Sequence, residues 1–170
     1  MARCLIIGCG CRGLLLARSL LSDGHCVRGT TRDPARAGSL EAAGVEPWVG
    51  DPERVATLAG ALEQVTIACL LLGSAAGSSP AVAALHGTRL EMLLSRMLDS
   101  TVRGILYEAA GSVPAAVLAA GAGRVRSFCE DSRVPYALLS ADPAAFDAWS
   151  ASAAEAVNDV LGGESTAVAV

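Results

Sequence analysis

The sequence predicts an α/β fold: a doubly wound parallel sheet of about six strands with helices on both faces, in a single domain. Two observations carry this. Short apolar runs alternate with stretches of helical length along almost the whole chain. A glycine-rich turn, Gly8-Cys9-Gly10-Cys11-Arg12-Gly13, separates the first apolar run from the first helical stretch.

The elements follow in order. The first strand is expected over 3–8 (RCLIIG) and the first helix over about 12–22, closed by the turn Asp23-Gly24. The second strand, 25–30, leads through a polar loop to a helix over 35–43, which Gly44 terminates. A third strand covers 45–49, and Pro52 is expected to open a further helix. The run 65–72 (VTIACLLL) is the most apolar, which places it centrally in the sheet.

After a small-residue loop, one helix is expected over about 81–98, with Val82, Leu85, Leu93, Leu94 and Met97 near one face. That face suits either packing on the sheet or a homodimer contact. A fifth strand at 104–107, a helix over 114–131, a sixth strand at 135–139 and a helix over 143–161 complete the pattern. Six such units fill residues 1–161, leaving no room for a separate substrate domain. Residues 162–170 read as a frayed, flexible tail. The ligand site of such a sheet lies at the carboxyl ends of its strands.

Composition narrows the function. Of 170 residues 52% are apolar, and the mean hydropathy is +0.47, which excludes a disordered chain. The net charge is −4 with no basic tract, which argues against nucleic-acid partners. No apolar run approaches the roughly 20 residues of a membrane span. Ile6-Ile7-Gly8-Cys9 looks like a lipobox, but its apolar stretch is shorter than the ~7–15 residues a leader needs. Six cysteines without any Cys-x-x-Cys, and only two histidines, give no metal site. Reduced thiols and a cytoplasmic location are the expectation.

The glycine turn is the strongest motif. Gly8 permits the tight turn, Gly10 lets backbone approach a pyrophosphate, and Gly13 allows close helix–strand packing. The helix start offers unpaired N–H groups and a positive dipole to phosphates. About 20 residues on, an NAD site carries an acid for the ribose hydroxyls. Here that stretch reads Gly29-Thr30-Thr31-Arg32, with Asp33 one step beyond. Two hydroxyls and a guanidinium suit a 2′-phosphate, favouring NADP over NAD. Cys9 and Cys11, at a helix start, suit either a small-residue role or a redox-sensitive one.

These residues resemble the extended and atypical short-chain dehydrogenase/reductase group, the NAD(P)-dependent epimerase/dehydratase-like proteins. The resemblance rests on Ile6-Ile7-Gly8-Cys9-Gly10 with Gly13, on 27–33, on Val49-Gly50-Asp51, and on His86-Gly87-Thr88 with Leu93-Leu94. It implies that Asp51 contacts the adenine and that Gly73-Ser74 lies along the nicotinamide ribose. The group's catalytic pair is Tyr-x-x-x-Lys, and this chain contains no lysine. Tyr107 and Glu108, ending the fifth strand, are the remaining candidates for proton transfer. Asp142 reads as a cap, and His86 as a packing or surface residue. Two functions remain: a reduced oxidoreductase, or a non-catalytic NADP-responsive sensor or scaffold. A methyltransferase using S-adenosylmethionine is disfavoured by Thr31-Arg32 where that cofactor needs an acid.

Overall fold

The computed structural model describes residues 1–168. Its strands are β1 (Arg3–Ile7), β2 (Cys26–Thr31), β3 (Glu46–Val49), β4 (Ile67–Leu70), β5 (Gly104–Glu108), β6 (Tyr136–Leu139) and β7 (Thr166–Val168). They form one sheet in the order β3-β2-β1-β4-β5-β6-β7, with every pairing parallel. The helices are α1 (Cys11–Ser22), α2 (Ala37–Ala42), α3 (Ser79–Leu85), α4 (Thr88–Leu98), α5 (Ala115–Ser132) and α6 (Phe146–Leu161).

Side-chain alternation along the strands makes two cores, one on each face. Cys4, Ile6, Cys69 and Leu106 pack with Leu16 and Leu20 of α1 and Trp149 and Val157 of α6. Leu5, Ile7, Leu70 and Tyr107 pack on the opposite face with Leu93, Leu94 and Met97 of α4 and Val125 of α5. Strand order reverses between β1 and β4, which opens a crevice at their carboxyl ends.

Four expectations differ from what is found. The helix expected after Pro52 is replaced by two short 3₁₀ turns, Val55–Leu58 and Gly60–Leu62. Buried Arg28 of β2 donates to the carbonyls of Gly60, Ala61 and Glu63 at 3.4, 2.7 and 3.1 Å, carbonyls that a continuing helix would need. The helix expected over 81–98 breaks into α3 and α4 at Gly87 (φ −113°, ψ −109°), where His86 turns into the core. Leu90, Leu93, Leu94 and Met97 of α4 are buried within the chain, in the core on that face of the sheet. The tail expected from Gly162 includes β7, which pairs Ala137 with Thr166 and adds a seventh strand. Asp142 caps a turn, accepting from Ala144 N at 2.9 Å, and α6 starts only at Phe146.

Candidate functional site

A cleft of about 510 Å³ lies at the β1/β4 crevice, in the size range of small-molecule sites. All six residues of the glycine turn line it, Gly8 through Gly13. Gly8 has φ +87°, and a Cβ there would strike the Leu71 carbonyl. A Cβ on Gly13 would sit 3.2 Å from both Gly8 O and Ile6 Cγ2, so α1 packs closely on β1. Gly10 differs: its Cβ would meet nothing within 4 Å, so this backbone is open towards the cleft.

The end of β2 forms the next wall, with Thr30, Thr31, Arg32 and the unforeseen Arg36. The threonine hydroxyls are already occupied. Thr30 Oγ1 accepts from Gly8 N at 3.2 Å, and Thr31 Oγ1 accepts from Asp33 N and donates to Asp33 O, each at 3.1 Å. Both are buried, so they brace the glycine turn and the loop. Asp33 does not line the cleft, and its carboxylate accepts from Ala35 N at 2.9 Å to start a 3₁₀ turn. Arg32 and Arg36 are exposed. Arg36 stands four residues after Arg32, and that spacing was its only signal in the sequence.

Asp51 lies at the β3 end of the cleft, its carboxylate accepting from Glu53 N at 3.0 Å. Leu71, Leu72, Ser74 and Ala75 continue the wall from β4, and Phe146, 54% exposed, stands at the rim. Gly73 does not line the cleft; its Cα hydrogen side faces the Ala110 carbonyl and the Glu108 side chain.

The candidates for proton transfer are not brought together. Tyr107 and Glu108 project to opposite faces of the sheet, and neither lines the cleft. The Tyr107 hydroxyl lies 2.7 Å from His86 Nδ1, and His86 Nε2 lies 3.2 Å from Leu72 O. A carbonyl only accepts, so Nε2–H donates to Leu72 and Nδ1 accepts from the phenol. Burial pushes the Tyr107 phenol above its ordinary range and lowers His86, holding both neutral. Glu108 is fully buried and accepts from Arg12 Nε at 3.2 Å and from Gly73 N at 2.8 Å. That pair joins residues 96 apart, and no local pattern announces it.

Burial raises the Cys9 thiol to about 11, whereas Cys11 is exposed at the start of α1. All six cysteines are free, no metal-ligand cluster exists among the described residues, and no described helix is long and apolar enough to cross a membrane.

No family model matches the chain, and no curated protein matches it. Solved structures do. The UDP-glucuronic acid 4-epimerase of Bacillus cereus in complex with NAD matches with a TM-score of 0.66 at 14% identity, over 82% of this chain and 56% of its own. The triphenylmethane reductase of Citrobacter sp. complexed with NADP(H) matches with a TM-score of 0.63 at 20% identity, over 81% and 48%. A short-chain dehydrogenase/reductase superfamily protein of Agrobacterium tumefaciens with bound NAD matches with a TM-score of 0.66 at 19%, over 81% and 48%. The chain thus spans about half the length of these structures. The likeness establishes the fold, a doubly wound parallel Rossmann sheet.

Proposed function

We propose that this chain is an NADP(H)-binding protein that recognises the 2′-phosphate through Arg32 and Arg36 and serves as a cofactor-responsive binding module. The observation that carries this reading is the end of β2. Arg32 and Arg36 line the cleft, while Asp33, the acid on their own turn, is turned away as a cap; the acids that do line the cleft, Asp51 and Glu53, follow β3. A guanidinium pair suits a phosphate dianion, whereas the ribose hydroxyls of NAD call for an acceptor. The open backbone at Gly10 and the start of α1 suit the pyrophosphate. In this reading Asp51 stands by the adenine and Ser74 by the second ribose, and the solved neighbours with bound NAD or NADP(H) support the ligand class.

A sensor or scaffold is favoured over an oxidoreductase because the chain has no lysine for a tyrosine–lysine pair and its Tyr107 hydroxyl is committed to His86. The methyltransferase reading loses ground to two arginines where an acid would be needed. The test is calorimetric titration of NADP⁺, NADPH, NAD⁺ and NADH. NADP(H) should bind at least about tenfold more tightly than NAD(H), and Arg32→Ala should shrink that margin. Equal affinity for all four would overturn recognition of the 2′-phosphate.

A further inference from the structure

The β4–β5 end of the cleft is closed by the chain's own groups. Glu108, with no exposed surface, grips Arg12 Nε at 3.2 Å with one oxygen and Gly73 N at 2.8 Å with the other. Arg12 also donates from Nη2 to Ser74 Oγ at 2.9 Å, and its guanidinium lies 5.7 Å from the centroid of the Trp149 ring. The backbone behind this clasp is sealed too. Val113 N donates to Gly73 O at 3.0 Å, and a Cβ on Gly111 would collide with that same carbonyl. Opening the clasp would strand a buried carboxylate, which proteins strongly resist. No residue of 104–113 lines the cleft, although strand ends on this side flank the ligand crevice of a doubly wound sheet.

From this closure, and resting on the NADP(H) reading above, we infer that the site takes 2′-phosphorylated adenine nucleotides as a class and leaves the nicotinamide ring unread. Past Ser74 the lining consists of Ala75, Ala76, Leu85 and Phe146, whose side chains offer no hydrogen-bonding group to a nicotinamide. Oxidised and reduced cofactor, and fragments without the ring, are then bound alike, because a ring met by no polar or charged side chain adds little differential affinity. The closed end also presents no proton-transfer group to a ring, since Tyr107 is turned into the opposite core.

The unmodified protein is titrated with 2′,5′-ADP, NADP⁺ and NADPH, and each complex is examined by saturation-transfer NMR. The three dissociation constants should agree within about tenfold, with saturation reaching adenine protons and not nicotinamide protons. Binding of NADP⁺ or NADPH more than about tenfold tighter than 2′,5′-ADP, or saturation of the ring protons, overturns this inference and leaves the NADP(H) reading standing. Failure of all three to bind overturns that reading, and this inference with it.

Discussion

The two ends of the cleft are built from the same chemistry, arginine and acid, and do opposite things with it. At the β2 end, Arg32 and Arg36 are exposed and Asp33 is folded back onto its own turn. At the β5 end, Arg12 and Glu108 are locked together, the acid wholly buried and the arginine side chain 22% exposed. Exposed cations on a short turn leave their hydrogen-bonding capacity for a ligand. A buried pair spends its capacity on the fold. Residue type does not separate the two ends; burial and the partner already in hand do.

The largest effect expected is on the closed end. Arg12→Leu leaves Glu108 as a buried carboxylate held only by Gly73 N, and should destabilise the protein by about 3–5 kcal/mol in urea unfolding. Arg12→Met with Glu108→Met removes both charges at once and should recover most of that loss. A double variant as unstable as the single one would break the comparison, because Glu108 would then matter for something other than its charge.

At the open end, Gly10→Val should cost almost nothing in stability, within about 0.5 kcal/mol, because its Cβ meets nothing and its φ of −83° suits any residue. Affinity for NADP⁺ should nevertheless fall by roughly 100-fold, since the side chain would stand where the pyrophosphate approaches the backbone. Unchanged binding in a folded Gly10→Val variant would move the ligand out of this cleft.

Arg32→Ala comes next, weakening NADP⁺ by about 10–100-fold, the range of a lost charged hydrogen bond of ~1.5–3 kcal/mol. NAD⁺ affinity should be unaffected. Arg36→Ala should act in the same direction, and the double variant tests whether one arginine substitutes for the other.

What was legible in the sequence was local. The strand–helix alternation and the three glycines are short-range patterns with one backbone solution, and they correctly predicted the Rossmann sheet. The glycine turn and the β2 end also fall along one cleft. The Arg12–Glu108 pair was not legible, because it is made by topology across 96 residues rather than by spacing. Glu108 ends an apolar strand next to Tyr107, and strand alternation sends the two to opposite faces, where each is held by a long-range partner, so neither lines the cleft. Gly87 breaks a helical pattern whose apolar period continues through it. That break depends on His86 finding Tyr107 in the core, a long-range contact that periodicity does not register.

The smallest effect expected is a pH dependence of stability carried by His86. Desolvation lowers its folded pKa below the usual value near 6.5, and its ring nitrogens face only the Tyr107 hydroxyl and the Leu72 carbonyl among the described residues. Above that value both the folded and the unfolded chain carry it neutral, so its contribution is intact. As pH falls through about 6.5, the unfolded chain takes up a proton that the folded chain refuses until lower pH. Stability therefore declines on the acid side, with a slope of at most about 1.4 kcal/mol per pH unit from this group. His86→Gln keeps an acceptor for Tyr107 and a donor for Leu72 but does not titrate. The difference between the two proteins in urea unfolding should be flat above pH 6.5 and should shrink below it. A difference that stays constant down to pH 5 would mean the buried imidazole is not what couples this core to protons.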